Sequence, residues 1–278
     1  MNYIKLFAKE IVRHLRNLKR DVDDLSASDT YSSNLKINTD STVEIDIDFP
    51  SNITSLRFDI GLSHNAPNSA QWLLDNPCLQ VIGIEANRFN VNKLVRNGIW
   101  SKNIPGKPIK PYKSDRFNIL YCAIDDVSEP CFQTFFNVRG DPGTSSLLEP
   151  TEVLLKGHKY SIKSKSQVPT VPLSLIMQKI PWSRFEFIEL CKIDTQGKDL
   201  DVLKSAKEYL NKIALVSTEV ETFGQYKNAA KKKDIYDFME TNGFIEIKTL
   251  SNVDNEVMDV LFANPLYLER VKEIINTL

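Results

Sequence analysis

Several features that would assign a chain to a specialised class are scarce in this sequence. The four cysteines form no CxxC pair, and two of them lie inside apolar runs, as reduced, buried thiols commonly do. No apolar run approaches the roughly 18 residues that a membrane span requires. The N-terminus also lacks the compact apolar block of a secretory signal. We therefore expect a soluble, cytoplasmic protein.

Neither sign of charge is in excess. The chain has 35 basic and 36 acidic residues, which gives a formal net charge of -1. Proteins that bind polyanions usually carry a basic surplus, so nucleic acid is not an expected partner. With 42% hydrophobic and 26% charged residues over 278 positions, the composition is that of a globular protein that can bury a large core.

Apolar residues near the N-terminus recur every three or four positions, with basic residues between them. They are Ile4, Phe7, Ile11, Leu15 and Leu18. This spacing predicts a basic amphipathic helix, for which two roles are open: contact with an anionic membrane surface, or packing on its own domain or on a second subunit of a homodimer. Residues 25–42 are rich in Ser, Thr, Asn and Asp, which indicates a linker. We therefore divide the chain into residues 1–42, the helix and linker, and residues 43–278, one globular domain.

Beyond Val43, short β-branched or aromatic runs alternate with segments of helical period, which is typical of βαβ units. Strands are predicted near residues 55–60, 80–85, 117–124, 186–194, 213–220, 244–249 and 257–262, and helices near 66–75, 88–97, 173–179, 199–210, 227–241 and 264–277. The run from Cys131 to Val138 indicates an added strand or hairpin. About seven residues separate Thr249 from Val257, too few for a parallel crossover, so the last two strands should form an antiparallel hairpin. The predicted fold is α/β and Rossmann-like, with a seven-stranded, mainly parallel sheet and an antiparallel terminal hairpin.

Acids stand where the first two predicted strands end, and open α/β sheets bind ligands at those ends. Asp59 and Gly61 end the first strand, and Glu85 ends the second, 24 positions after Gly61. That spacing suits a carboxylate that accepts hydrogen bonds from the two hydroxyls of an adenosine ribose. The neighbouring cofactor-binding candidates are Ser63, His64 and Asn65 in the first turn, Ala86 and Asn87 after Glu85, and Ala123 and Ile124 at the third strand, where an adenine would lie.

Two cofactor classes use such a carboxylate, and the first turn distinguishes them. A dinucleotide requires glycines spaced G-x-G-x-x-G around its pyrophosphate, whereas this turn has one glycine. Asp59 would oppose a diphosphate but could hold an ammonium group, directly or through water. S-adenosylmethionine has that ammonium and no phosphate, so it is the favoured cofactor. An NAD-dependent oxidoreductase is the alternative, and Asp59 and Glu85 could also be plain capping or solvated acids.

Acids also end the next two strands of the predicted sheet. Asp194 follows a strand and precedes a glycine turn and an amphipathic helix, and strand alternation places Glu219 and Glu221 on one side of the following strand. We interpret these three as catalytic residues. A hydroxyl is a poor nucleophile, and these carboxylates would orient and deprotonate it. They could instead hold a divalent metal ion. His64 could also act as a base, or it could simply pack the turn.

Five stretches resemble the FkbM family of methyltransferases, and the resemblance extends from about Leu56 to Leu250. They are Phe58-Asp59-Ile60-Gly61, Ile84-Glu85-Ala86-Asn87, Gly143-Thr144-Ser145-Ser146-Leu147, Lys192-Ile193-Asp194-Thr195-Gln196-Gly197, and Glu219-Val220-Glu221 followed by Tyr226. The resemblance implies the class I methyltransferase fold, S-adenosylmethionine as cofactor and methyl transfer to oxygen. The implied acceptor is a hydroxyl of a sugar, glycan or glycan precursor, with another small molecule as the alternative.

The resemblance also indicates substrate contacts and shows departures. The implied substrate-binding residues are Arg139, Ser145, Ser146 and Tyr226. The loop of residues 139–146 could close over substrate or be a plain surface connection. In the first turn Leu62, Ser63 and Asn65 replace the usual alanine, asparagine and second glycine, and asparagine tolerates the left-handed backbone. Gln196 stands where glutamate is common. The altered turn leaves a second class open: a module that binds S-adenosylmethionine or a glycan without turnover.

Overall fold

The computed structural model describes residues 34–38, 42–97, 115–222, 224–253 and 257–278. The amphipathic helix predicted between Ile4 and Leu18 lies outside the described residues, and so does most of the predicted linker. The two roles considered for that helix and the domain division at residue 42 therefore stay predictions.

Two short strands precede the main sheet. β1 (Leu35–Ile37) and β2 (Val43–Ile45) pair antiparallel. β1 lies inside the segment interpreted as a linker, and it forms a strand because the Leu35 side chain, 2% exposed, packs into the main hydrophobic core. The mostly polar composition of residues 25–42 predicts a linker and gives no sign that Leu35 is buried in the core.

The rest of the described chain alternates strands and helices. The strands are β3 (Ser55–Ile60), β4 (Leu79–Glu85), β5 (Phe117–Tyr121), β6 (Ala123–Ile124), β7 (Cys131–Arg139), β8 (Ser161–Val171), β9 (Ile188–Ile193), β10 (Ile213–Glu221), β11 (Ile245–Val253) and β12 (Val257–Ala263). The helices are α1 (Pro67–Asp75), α2 (Arg88–Asn97), α3 (Glu152–Gly157), α4 (Leu173–Met177), α5 (Asp199–Ser205), α6 (Lys232–Thr241) and α7 (Lys272–Thr277), with 3-10 turns at Pro142–Thr144, Lys207–Lys212 and Pro265–Arg270.

The main sheet has seven strands in the order β11-β12-β10-β9-β3-β4-β5. The strands from β10 to β5 run parallel, and β12 is antiparallel to both of its neighbours. This confirms the predicted mainly parallel sheet with an antiparallel terminal hairpin. The chain progresses outward from β3 through β4 to β5 and then returns to β9 on the other side of β3. The crevice between β3 and β9 is thus the switch point where open α/β sheets bind their ligands.

Several predicted boundaries were wrong in informative ways. The helices predicted at residues 199–210 and 264–277 each divide into an α-helix and a 3-10 turn. The helix predicted from residue 227 begins at Lys232. The Asp234 carboxylate accepts a hydrogen bond from the Lys231 N–H at 2.9 Å, which caps the N-terminus of the helix at that position. The strand predicted at residues 117–124 breaks at Cys122, since β6 leaves the main sheet to pair with β8.

A second, three-stranded sheet lies in the order β6-β8-β7. β7 confirms the strand predicted from Cys131 onward. Its antiparallel partner β8 was missed, because residues 163–167 are polar and exposed and give no apolar alternation. No helix among the described residues is long and apolar enough to cross a membrane.

Candidate functional site

A cavity of about 350 Å³ lies at the carboxyl ends of the parallel strands, beside the switch point. Its wall is formed by the first turn, the ends of β4 and β6, the loop after β7 and the loop after β9. The lining residues are Ile60, Gly61, Ser63, His64, Ile84, Glu85, Ala86, Asn90, Cys122, Ala123, Ile124, Phe135, Asp141, Pro142, Gly143, Thr144, Ser145, Leu147, Asp194, Thr195, Gln196 and Lys198. Most of the predicted cofactor-binding residues are therefore brought together.

The first turn and the loop after β9 touch through their backbones. The Asp194 N–H donates to the Ile60 carbonyl at 2.9 Å, and Gly61 has a φ of +89°. A Cβ added to Gly61 would lie 1.9 Å from the Asp194 carbonyl oxygen, so no larger residue fits without moving the loop. Positive φ also occurs at Ser63 and Ala66, whereas we had expected Asn65 to absorb the left-handed conformation. Asn65 lies outside the cavity wall.

Asp59 and Asn87 lie behind the wall. Asp59 is 1% exposed, with one carboxylate oxygen 2.6 Å from the Ser69 hydroxyl and the other 3.7 Å from the Lys192 Nζ. Burial raises the pKa of Asp59, and Lys192 opposes that shift. Asn87 donates its side-chain amide to the Ser145 Oγ at 3.2 Å and its backbone N–H to Glu85 at 2.7 Å. In the structure both residues contact other protein groups.

Glu85 is the acid of the cavity wall nearest the apolar pocket. It is 6% exposed, and burial raises its pKa to about 7, partly offset by hydrogen bonds from the Asn87 and Ser63 backbones and the Asn90 side chain. The same cavity is also lined by the apolar residues Ile84, Ala86, Ala123, Ile124 and Phe135. A carboxyl group beside an apolar slot suits a ribose and its attached base.

A roof segment, Asp141–Ser145, covers the cavity. The Asp141 side chain accepts a hydrogen bond from the Gly143 N–H at 2.9 Å, and the Ser145 Oγ accepts one from the Val138 N–H at 3.0 Å. Of the predicted substrate-binding residues, Ser145 lines the cavity, while Arg139 is exposed beyond it. Ser146 and Tyr226 fasten the roof to the loop after β9 and are described below.

The predicted catalytic acids lie on the β9 and β10 side of the cavity. Asp194 reaches the wall, and its two carboxylate oxygens contact the Gln196 Nε2 at 2.7 Å and the Lys192 Nζ at 3.3 Å. Glu219 and Glu221 lie outside the wall. Burial, followed by the charges of neighbouring acids including Asp194, raises the pKa of Glu219 to about 9.

Lys192, which is half-buried among these acids, remains charged. Burial lowers the pKa of Lys192, but the carboxylates of Asp194 and Asp59 more than offset this, so the net shift is upward. Asp199 opens α5 and accepts from the Thr195 hydroxyl at 3.1 Å; burial and then Asp194 raise its pKa to about 7. Among the described residues, no group of three or more His, Cys, Asp and Glu side chains could hold a metal ion.

His64 lies in the wall, where burial and then Lys93 lower its pKa, while Asp141 has the opposite effect. The imidazole is therefore neutral at pH 7, with Nδ1 3.3 Å from the Ser63 hydroxyl. Its role as base or as packing residue stays a prediction.

Sequence reasoning assigned no role to four other residues of the site: Asn90, Lys192, Gln196 and Lys198. Lys198 lines the cavity and pairs with Asp125 at 2.6 Å and Asp201 at 2.5 Å. Lys192 could have been found, because strand alternation places it on the same side as Asp194. The lysine at 198 gave no comparable signal.

Comparison with known proteins identifies the family. The family model described as the methyltransferase FkbM domain matches residues 59–246, which is more than half of the chain. Similar solved structures include a SAM-dependent methyltransferase from Aquifex aeolicus (8% identity, 76% of this chain, 83% of that chain, TM-score 0.36). A fibrillarin/Nop5p complex is 9% identical over 84% of this chain and 98% of that chain, with a TM-score of 0.38. The N-terminal domain of human METTL16 in complex with SAH is 10% identical over 87% of this chain and 94% of that chain, with a TM-score of 0.37. No curated protein matches the chain. The chain belongs to the FkbM family of methyltransferases, and S-adenosylmethionine is its cofactor.

Proposed function

We propose that this methyltransferase acts on oxygen, and that its acceptor is a hydroxyl of a sugar, glycan or glycan precursor. The observation that carries the proposal is the Asp194 carboxylate. It reaches the cavity wall, its side chain remains 37% exposed, and two donors hold it in one orientation. A carboxylate in that position suits an acceptor whose proton must be removed.

The residues of the cavity fit S-adenosylmethionine. The Glu85 carboxyl group suits the ribose hydroxyls, and the apolar wall from Ile84 to Phe135 suits the adenine. The first turn lacks a glycine-rich phosphate cradle, and Gly61 lets the backbone of the turn approach Asp194. When bound, the cofactor supplies an electrophilic methyl group on a positively charged sulfur.

Asp194 would orient the acceptor hydroxyl and take its proton as the oxygen attacks. Each of its oxygens keeps a lone pair beyond the contacts with Gln196 and Lys192, so it can still accept from the hydroxyl. Lys192, 17% exposed in its side chain, balances the negative charge of the carboxylate. Positioning of the acceptor oxygen against the methyl carbon would supply much of the remaining rate enhancement.

Two further acids, Glu219 and Glu221, interact electrostatically around Asp194 but lie outside the cavity wall. Glu219 has a pKa of about 9 and is therefore a neutral carboxyl at pH 7, which can both donate and accept a hydrogen bond. Glu221 is 7% exposed and accepts from the Gln225 N–H at 3.3 Å. The sugar acceptor is therefore proposed from the resemblance to the FkbM family, and these two acids would act through Asp194 rather than on the acceptor.

Turnover of Asp194→Asn on a panel of neutral glycosides tests the proposal. Asparagine keeps the size of the side chain but cannot take a proton, so we expect kcat to fall about 100-fold or more. The affinity for S-adenosylhomocysteine, measured by calorimetry, should change by less than about threefold, because the rest of the cavity wall is intact.

The exposed acid Asp46 provides the matched control, and Asp46→Asn should keep wild-type turnover. Near-normal turnover of Asp194→Asn would remove Asp194 from the role of base. Methylation of amine or carboxyl acceptors by the wild-type protein, with none of hydroxyl acceptors, would contradict the proposed hydroxyl acceptor.

A further inference from the structure

The Gln196 side chain bridges Asp194 and Tyr226. Its Nε2 donates to the Asp194 Oδ1 at 2.7 Å, and its Oε1 accepts from the Tyr226 hydroxyl at 2.8 Å. The Gln196 carbonyl oxygen accepts from the Ser146 hydroxyl at 2.8 Å. This amide orientation is self-consistent, because the opposite one would put an amide oxygen against a carboxylate oxygen. Gln196 therefore contacts the proposed base on one side and, on the other, Tyr226 and Ser146, which adjoin the roof segment.

The backbone at Gln196 is held in a conformation that aims this side chain. Gln196 has a φ of +58°, which costs a non-glycine residue about 1 kcal/mol or more, and Gly197 follows with a φ of +93°. A Cβ on Gly197 would lie 3.0 Å from the Ala229 side chain and 3.2 Å from that of Leu148. The contacts of the surrounding loops thus keep Gln196 in the left-handed conformation that turns its amide back toward Asp194.

Tyr226 connects the amide to the roof segment. Its side chain is 2% exposed, and its hydroxyl lies 2.8 Å from both the Thr144 carbonyl oxygen and the Gln196 Oε1. A hydroxyl has one proton, so the two acceptors share it. Tyr226 therefore links the Gln196 amide to Thr144 of the roof segment.

We propose that Gln196 and Tyr226 are positioning residues that align the Asp194 carboxylate. This inference rests on the proposed role of Asp194 as the base. It assigns to the glutamine, present here where glutamate is common, the task of donating a hydrogen bond that a carboxylate could not donate. The alignment acts on turnover rather than on cofactor binding, because the Gln196 amide is directed at the carboxylate.

Charged and titratable groups from several elements face Asp194, and all of them enter its pH dependence. They are Asp59 on β3, Glu85 on β4, Lys192 on β9, Asp199 on α5, Glu219 on β10 and Tyr226 after β10. Lys192 is the one cation of this set. A new carboxylate at position 196 would therefore join a group in which acids already predominate.

The pH profile of Gln196→Glu tests the alignment. Two carboxylates in contact cannot both ionise freely, so the pair should take up a proton at higher pH than the single acid does. We expect the acid limb of the kcat profile to move upward by about one pH unit or more relative to wild type. Gln196→Met, which removes both hydrogen bonds without adding charge, should lower kcat about tenfold, leave the KM for S-adenosylmethionine within about twofold and leave the limb in place.

Gln167 provides the matched control, since it is exposed on β8 and bonds only to the Thr134 hydroxyl among the contacts of its side chain in the described structure. Gln167→Glu adds the same charge and should leave the profile unchanged. Tyr226→Phe, which deletes only the hydroxyl, should lower kcat about three- to tenfold with unchanged S-adenosylhomocysteine affinity. A Gln196→Glu profile that overlays wild type would overturn the proposal, as would a Tyr226→Phe variant that loses cofactor affinity but keeps kcat.

A binding measurement separates failure of this inference from failure of the proposed function. S-adenosylmethionine has a positively charged sulfur and S-adenosylhomocysteine a neutral one, so the ratio of their affinities reports negative charge near the sulfur and can be measured without an acceptor. The pH at which this ratio is half-way through its change should move upward in Gln196→Glu but not in Gln167→Glu. If no hydroxyl acceptor is methylated and this midpoint still moves, the proposed function fails while the contact of Gln196 with Asp194 stands. An unmoved midpoint would reject the contact itself.

Discussion

The two sides of the cavity are built on different principles. The cofactor side, formed by the ends of β4 and β6, is apolar apart from Glu85, which receives several hydrogen bonds. The acid side is formed by the loop after β9, with the end of β10 behind it, and its carboxyl groups surround one half-buried lysine, Lys192; Asp194 is the member that reaches the wall. The first side can recognise shape, whereas the second is suited to moving a proton. Gly61 is the residue at which the two sides touch.

The largest expected effect on stability and activity comes from adding a side chain at Gly61. Gly61→Ala would place a Cβ 1.9 Å from the Asp194 carbonyl oxygen and hold alanine at a φ of +89°. Backbone strain and overpacking together should lower the free energy of unfolding by about 3–5 kcal/mol. Both cofactor affinity and turnover should be lost, because the loop carrying Asp194 has to move. Denaturant unfolding measures the first effect and calorimetry the second.

Gly157 offers the control for this substitution. A Cβ there meets nothing within 4 Å, so Gly157→Ala should change stability by less than about 1 kcal/mol. If Gly61→Ala were as stable as Gly157→Ala and still bound cofactor, the two sides would be independent.

A smaller effect, confined to the cofactor side, is expected from Glu85→Gln. The carboxylate accepts from ribose hydroxyls better than an amide does, so affinity for S-adenosylhomocysteine should fall about 10- to 100-fold. In the wild-type protein the affinity should rise as pH increases through about 7, because burial keeps Glu85 protonated below that pH. Calorimetry between pH 6 and 8 should show that rise in wild type and in the exposed-site control Glu152→Gln, and a flat response in Glu85→Gln.

The smallest effect concerns stability on the acid side. The folded pKa of Glu219 is raised from 4.5 to about 9, so its protonated form is favoured in the folded state. Its contribution to stability is therefore complete below about pH 4.5 and is lost progressively as pH rises toward 9. Glu219→Gln removes this loss, and we expect its Tm to equal that of wild type near pH 4 and to exceed it by a few degrees at pH 9. A variant that is less stable than wild type at pH 9 would show that Glu219 is ionised and paired there.

The sequence predicted the strand ends well because the spacing of apolar runs and of terminal acids is a local property. Glu85, Ala123 and Asp194 accordingly line the cavity as expected. Asp59 lies behind the wall instead, because residues 56–60 of β3 are all buried and no polar alternation reveals which face each side chain takes. The spacing of apolar runs identifies where a strand ends. When both faces of the strand are buried, however, the sequence does not show to which face each side chain points.

Contacts between distant loops were harder to predict. The bonds of Tyr226 to Thr144 and Gln196 join residues that are 82 and 30 positions apart. The resemblance implies that Tyr226 is a substrate contact, which stays a prediction; its hydrogen bonds between two loops could not be predicted from the sequence. Likewise β8 carries Lys and Ser on exposed positions and is recognisable only from its pairing with β7. Such features depend on contacts between residues that are far apart in the sequence, and local patterns in the sequence do not reveal those contacts.

The short strand β6 follows β5, an edge strand of the main sheet, directly in the sequence. Its hydrogen bonds, however, join it to the three-stranded sheet. Ala123 and Ile124 pair with Thr170 and Val171 while lining the cavity. The apolar wall at Ala123 and Ile124 and the roof segment are thus both attached to the β7–β8 hairpin. A chimaera that exchanges residues 123–171 as a block would therefore transfer the wall residues and the roof segment together, whereas a graft of the roof segment alone would leave the original wall residues in place.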